Sequence, residues 1–206
     1  MKTLLQLKTS LFSNGGESSR LADAFVDTRK IVEPGLRVVT RDLAKDPVPH
    51  LTGEGFQGFI AKPEARTIEQ AKIVAYSDSL IDELRRADIL VLGLPMYNFG
   101  VPSALKAYFD HVARAGVTFR YTDKGPVGLL TGKKAYVFAT RGGLYAGTPR
   151  DTQSAYIRDF LNFLGITDVE FAYAEGLAMG EAPRDAALAN ARNTLRRLVP
   201  SLPVAA

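Results

Sequence analysis

Three short segments carry side chains and backbone suited to a flat, anionic ligand. The first, Ser10-Leu11-Phe12-Ser13-Asn14-Gly15-Gly16-Glu17-Ser18-Ser19, follows an apolar run and is rich in hydroxyls and glycine. Where such a loop feeds a helix, the unpaired N–H groups of the first turn and the positive end of the helix dipole attract a phosphate. Ser10, Ser18 and Ser19 can add hydroxyl donors, although the same composition also serves as a plain helix cap. The second, Pro95-Met96-Tyr97-Asn98-Phe99, ends the continuously apolar Leu90-Val91-Leu92-Gly93-Leu94. Pro95 stiffens the turn, Tyr97 and Phe99 offer planar apolar surface, and the Asn98 amide both donates and accepts. That mixture suits a heteroaromatic ring, the alternative being an ordinary turn after a strand. In the third, Thr140-Arg141-Gly142-Gly143, paired glycines let the backbone approach a ligand and aim consecutive N–H groups at an electron-rich edge. The alternative there is a turn that uses glycine for its backbone freedom.

Other chemistries lack their residues. With no cysteine, thiolate nucleophiles, thiolate metal sites and disulfides are excluded, and a reducing, cytoplasmic setting is the natural expectation. His50 lies in a Pro-rich loop and His111 inside an amphipathic pattern, with no HxH or HExxH spacing, so no protein metal site is expected. Gly53-Glu54-Gly55-Phe56-Gln57-Gly58 has dinucleotide-type spacing, but no strand leads into it and no clear helix follows before Lys62-Pro63. There is no P-loop and no Gly-x-Ser-x-Gly elbow. No side chain is therefore assigned as catalytic, and the chemistry falls to a cofactor.

The elements that must position these loops show as an alternation. Strand-like Thr3–Lys8, Leu36–Arg41, Ile89–Leu94, Ala135–Thr140 and Val169–Ala174 alternate with helix-like Ser18–Arg29, Thr67–Ala87, Pro102–Arg114, Asp151–Leu164 and Pro183–Leu198. Such a rhythm implies right-handed βαβ crossovers and a doubly wound α/β domain, with a five-stranded parallel sheet in the order 2-1-3-4-5 and helices on both faces. Gly165 follows an apolar stripe as a C-terminal cap should. At 206 residues and 46% hydrophobic content, one domain over 1–206 is expected. Asp42–Arg66 and Gly116–Lys133 break the rhythm and read as long binding or partner-contacting loops. Met1-Lys2-Thr3-Leu4-Leu5 reads as a first strand rather than a signal peptide, and no stretch reaches the ~18 apolar residues of a membrane span. Net charge is +4, with Lys and Arg scattered among Asp and Glu, so neither nucleic acid nor membrane is expected as a partner.

The three loops together resemble those of the FMN-dependent NADH azoreductases, flavodoxin-like quinone and azo reductases. Lys106-Ala107-Tyr108-Phe109-Asp110, Ala113–Thr122 and Gly165-Ile166-Thr167-Asp168-Val169 extend the likeness over essentially the whole chain. The resemblance implies a flavodoxin-like fold and a homodimer with an FMN in each of two interface sites. It further implies ping-pong, two-electron reduction of quinones and azo compounds, with NADH or NADPH as donor. Residues aligned with Ser10, Gly16, Glu17 and Ser18 hold the FMN phosphate in that family. Those aligned with Met96, Tyr97, Asn98, Phe99, Thr140, Arg141, Gly142 and Gly143 hold the ribityl and ring parts. Gly16 departs from the pattern, since many members have a side-chain hydroxyl there, so phosphate binding must use backbone N–H with Ser10 and Ser18. Tyr145 falls in a variable loop where donor and substrate preference are set.

The Gly116–Lys133 segment carries Phe119-Arg120-Tyr121, too aromatic for an ordinary solvated loop. Phe119 and Tyr121, with Tyr145, are expected in a substrate pocket completed by a neighbouring subunit; packing on its own subunit is the alternative. Two other functions compete with the reductase. A flavodoxin-like one-electron carrier exposes its flavin amid acidic surface, whereas this chain is net basic with few carboxylates in its presumed flavin loops. A phosphodiester hydrolase needs a metal cluster or an activated nucleophile, and neither is visible.

Overall fold

The apolar run that precedes Met96 is the middle strand of a five-stranded parallel sheet in a computed structural model that describes residues 1–199. Residues 200–206 of the expected domain lie outside the described residues. The strands are β1 (Thr3–Lys8), β2 (Arg37–Asp42), β3 (Ile89–Pro95), β4 (Phe119–Thr122), β5 (Gly125–Gly128), β6 (Lys134–Thr140) and β7 (Asp168–Ala174). The helices are α1 (Glu17–Val32), α2 (Gly53–Ile60), α3 (Ile68–Arg86), α4 (Ser103–Val112), α5 (Thr152–Leu164) and α6 (Glu181–Leu198).

The sheet runs β2-β1-β3-β6-β7. This is the expected 2-1-3-4-5 order once β4 and β5, which pair only with each other, are set aside. Every β3 residue is buried because both faces of the sheet are covered. Alternate strand residues serve opposite layers. Leu90, Leu92 and Leu94 pack with Leu80 and Leu84 of α3, Leu105 and Phe109 of α4 and Ile157 and Leu161 of α5. Ile89 and Val91 face Leu21 and Phe25 of α1 and Leu188 and Leu195 of α6. Burying each such side chain contributes roughly 1.5–3 kcal/mol, so a continuous apolar run is what a doubly covered strand requires.

Both segments expected as loops contain regular structure. In Asp42–Arg66 the glycines of Gly53-Glu54-Gly55-Phe56-Gln57-Gly58 lie inside α2, whose N-cap Thr52 accepts a hydrogen bond from the Gly55 N–H. A Cβ on Gly55 or Gly58 would stand 3.2 or 3.0 Å from Ile73 or Gln70, both in α3, so these positions are small to let α2 press onto α3. In Gly116–Lys133, β4 and β5 form an antiparallel hairpin that leans on the end of α5. There a Cβ on Gly128 would come within 2.0 Å of the Gly165 backbone nitrogen. Gly165 has φ of +100° and caps α5 as expected.

The chain order sets the site. After β1 the chain winds to β2 on one side and then crosses to β3 on the other, so the loops leaving β1 and β3 diverge at a switch point of the sheet. β6 lies next to β3, and its following loop reaches the same carboxyl edge. No helix among the described residues is long and apolar enough to cross a membrane.

Candidate functional site

The chain leaving β1 turns through a short 3₁₀ segment, Ser13–Gly15, into α1. Lys8 Nζ fixes this turn by donating to Asn14 Oδ1 at 2.8 Å and pairing with Asp23 of α1 at 2.7 Å, while Ser13 Oγ donates to Asp42. Gly16 is the N-cap of α1, in an extended conformation. A Cβ there would lie 2.1 Å from Ser10 Oγ, so the departure from a side-chain hydroxyl leaves room for that serine. Among the described residues the amides of Glu17, Ser18 and Ser19 have no acceptor, as the first turn of a helix dictates. Ser18 and Ser19 are fully buried and their hydroxyls are unpartnered. Ser18 lines the cavity above this turn.

The second loop is tied to the first through Tyr97, whose hydroxyl accepts from the Leu11 N–H at 3.2 Å and pairs with Ser10 Oγ at 3.3 Å. Tyr97 and Gly100 exchange backbone hydrogen bonds, 3.2 and 2.9 Å long. Asn98 and Phe99 between them have φ of +49° and +61°. Two adjacent non-glycine residues in the left-handed region, one of them aromatic, are strained and persist only where the surroundings impose them.

The third loop keeps its carbonyls occupied. Leu177, Ala178 and Gly176 donate to the carbonyls of Arg141, Gly142 and Gly143, at 3.1, 3.0 and 2.9 Å. Among the described residues the N–H groups of Gly142 and Gly143 have no acceptor. Arg141 itself is buried. Its guanidinium pairs with Asp151 at 2.6 Å and Glu175 at 3.1 Å, accepts no exposure, and sits 5.0 Å over the Tyr173 ring. Burial opposes the charged form of Asp151, but hydrogen bonds from Arg141 and Ser154 outweigh it and hold that carboxyl below the usual carboxylate range. Glu175 also accepts the Tyr145 and Ala146 N–H groups, both at 2.8 Å, so the buried arginine shapes the loop through its partners.

Nine of the twelve residues expected to hold a cofactor line one cavity of about 320 Å³ at the carboxyl edge: Ser10, Gly16, Glu17, Ser18, Met96, Tyr97, Thr140, Arg141 and Gly142. Asn98 is exposed, and Phe99 lines an adjoining apolar hollow with His50, Lys106 and Tyr156. Gly143 lies beneath the Tyr145 hydroxyl, and the Tyr145 ring meets Phe99 edge-on at 5.5 Å. Phe119 and Tyr121 are not brought to this cavity within one subunit. Phe119 packs on Phe163 at 4.2 Å in its own core, and Tyr121 stands exposed beside it on the hairpin, toward the amino edge.

Sequence reasoning missed Arg184, which reaches the cavity from the first turn of α6 and pairs with Glu17 at 2.6 Å. Nothing local signals it, since its partner lies 167 positions earlier.

The orphaned Ser18 hydroxyl beside three free N–H groups fits a phosphate, and the unpaired N–H groups of Gly142 and Gly143 fit polar edges of a ring. Similarity points the same way. A family model described as flavodoxin-like fold matches residues 2–199. The chain is 55% identical over 197 residues to the FMN-dependent NADH:quinone oxidoreductase of Cellvibrio japonicus, covering 96% of this chain and 98% of that one. The chain belongs to the flavodoxin-like quinone and azo reductase family. The Alcanivorax borkumensis relative of the same name is 54% identical, across 93% of this chain and 97% of its own. The crystal structure of an azoreductase from Bacillus anthracis str. Sterne superposes with a TM-score of 0.85 at 30% identity, covering 96% of this chain and all of that one. Within this flavodoxin-like family member, the five-stranded parallel core matches the expected strand order.

Proposed function

We propose that the protein is an FMN-dependent NADH:quinone oxidoreductase, with azo compounds as a second substrate class. The observation that carries this reading is the Ser18 hydroxyl, fully buried and unpartnered, beside the free amides of Glu17 and Ser19. FMN bound there would supply the two-electron redox chemistry between NADH and the acceptor. The chain's own residues bind and orient. Ser18 and the α1 amides hold the phosphate, and Ser10 with Tyr97 locks the two loops that flank it. The open N–H groups of Gly142 and Gly143 would be available to donate to polar atoms of the ring. Asn98, Phe99 and Tyr145 form the rim on which a flat acceptor rests.

A cytoplasmic homodimer and a single domain over the whole chain belong to the same reading. The exposed apolar side chains of Phe56, Ile60, Phe99 and Tyr121 leave surface for a second subunit to cover. In that assembly Tyr121, exposed on the hairpin, is the residue free to act in the partner's site, while Phe119 stays in its own core. Relatives named as oxidoreductases favour this reading over an electron carrier.

The test is an absorbance spectrum of the purified protein with FMN, before and after anaerobic NADH and then after benzoquinone. A yellow protein that NADH bleaches and quinone restores, with steady turnover, is expected. A protein that takes up no FMN overturns the reading, and FMN uptake with negligible NADH oxidation moves it to a carrier.

A further inference from the structure

We propose that Gln153 is a positioning residue that holds the Met96–Phe99 turn in its ligand-ready shape, an inference that rests on the reductase reading for its effect on FMN. Gln153 lies in the first turn of α5 and is fully buried. Its Nε2 donates to the Pro95 carbonyl at 3.0 Å and to the Gly100 carbonyl at 2.8 Å. Both protons of one amide nitrogen therefore close the two ends of the turn. Between these ends sit Asn98 and Phe99, with their positive φ values, and the Thr152 hydroxyl donates to the Phe99 carbonyl. A turn this strained stays put only if neighbours over-determine it, and adjacent residues of α5 supply three of the bonds that do.

The choice of side chain supports positioning over packing. Gln153 Oε1 is buried without a donor. An apolar residue of similar size would fill the space without that unpaired acceptor, so packing alone does not account for an amide here. The same helical turn also reaches the third loop. Asp151 and Ser154 hold the Arg141 guanidinium, at 2.6 and 3.0 Å. The first turn of α5 is thus a common frame for the loops after β3 and β6, although it contributes nothing to the lining of the cavity between them.

The experiment compares amide hydrogen exchange of flavin-free wild type, Gln153→Met and Thr152→Val, followed by FMN titration and visible circular dichroism of the loaded proteins. Met96 N–H donates to the Thr140 carbonyl at 2.9 Å, so the amides of Met96, Tyr97 and Gly100 report directly on the turn. In Gln153→Met these amides exchange about tenfold faster, from the loss of two buried bonds of roughly ordinary strength. FMN then binds about tenfold more weakly, its dichroism changes, and KM for the quinone rises more than kcat falls. Thr152→Val, at an exposed position, gives a smaller acceleration, about threefold, in the same amides. Unchanged exchange at 96–100 in both variants overturns the proposal. So does acceleration spread evenly over the core strands, which makes Gln153 a packing residue. If Gln153→Met does not fold, Thr152→Val decides, and no change at 96–100 in it counts against the proposal. A wild type that binds no FMN defeats the proposed function, while the exchange comparison still decides the role of Gln153.

Discussion

The two edges of the sheet are built from similar residue types and end differently. At the amino edge, Lys2, Arg29, Lys133, Lys134, Asp88 and Asp168 surround a cavity of about 660 Å³, twice the volume of the one at the carboxyl edge. Yet three of its four cations have partners. Lys133 donates to the carbonyls of Arg85 and Ala87, at 2.8 and 2.6 Å, Lys134 pairs with Asp168 and Glu170, and Arg29 with Glu33 at 2.7 Å. At the carboxyl edge the order is reversed. The buried Arg141 pairs with two carboxylates through its terminal nitrogens, while its Nε, a serine hydroxyl and a series of backbone amides are left open and two residues are strained. Open backbone amides and a buried serine hydroxyl, rather than charge count or cavity size, set the carboxyl edge apart from the amino edge.

The largest effect tests the buried charge. Arg141→Met leaves Asp151 and Glu175 facing each other without their cation, with side chains only 9% and 14% exposed. Removing one partner of a buried pair typically costs about 3–5 kcal/mol. Urea unfolding of the flavin-free protein should show a loss in that range. A loss under about 1 kcal/mol would mean that solvent reaches the cluster and that its interior character has been overstated.

This cluster also marks the limit of what the sequence conveys. Thr140-Arg141-Gly142-Gly143 reads as a ligand loop, and three of its residues line the cavity, but the partners of Arg141 lie 10 and 34 positions away. The strands were legible because a doubly covered sheet demands continuous apolar runs such as Leu90–Leu94. α2 was not, because Gly55 and Gly58 lower helix propensity while allowing the close approach that stabilises the helix in place. The hairpin was hidden by Pro126, which is tolerated in a two-stranded ribbon, and by the Gly128 contact with Gly165, visible only once the chain has folded.

Next in size is the open hydroxyl itself. Ser18→Ala removes a buried group that has no partner in the flavin-free protein, so unfolding stability should stay level or rise slightly. FMN affinity should nevertheless fall by about 1–2 kcal/mol, roughly tenfold, because a donor to the phosphate is gone. Ser18→Asp should weaken binding further through like-charge repulsion. Equal FMN affinities in wild type and both variants would reduce Ser18 to part of a helix end and blunt the contrast between the edges.

An orphaned atom outside both edges asks whether any unpaired group marks a ligand. His111 is buried in the last turn of α4, with Nε2 3.1 Å from the Pro49 carbonyl, Nδ1 unpartnered, and its ring edge-on to Phe59 and Tyr76. Burial lowers its pKa below the ordinary value of 6.5, opposed by the Pro49 carbonyl and by Asp110. The unfolded chain therefore binds the proton more readily than the folded one. The associated stability is complete above pH 6.5 and declines as pH falls from there through the depressed folded-state value. His111→Phe should flatten that part of the stability profile between pH 5 and 7 and leave FMN affinity unchanged. Altered FMN affinity would extend the site to α4.

The smallest effect lies at the amino edge, where the contrast requires almost nothing to happen. Lys134 Nζ stands 3.4 Å from Asp168 and 3.7 Å from Glu170, with all three side chains more than a third exposed. Water screens such pairs, and holding long side chains in place costs entropy that offsets the attraction. Lys134→Met should therefore change unfolding stability by about 0–1 kcal/mol, and the difference should shrink when salt is raised from 0.05 to about 1 M. FMN affinity and quinone KM should match wild type, because β6 carries Lys134 at the opposite end from Thr140 and the loop that follows. A stability loss near that of Arg141→Met would show that exposure misjudges how strongly the amino edge is held. A loss of FMN affinity without a loss of stability would be more damaging. It would couple the wide, charge-lined cavity to the flavin across the length of β6, and satisfied pairing could no longer be taken to mark the structural edge.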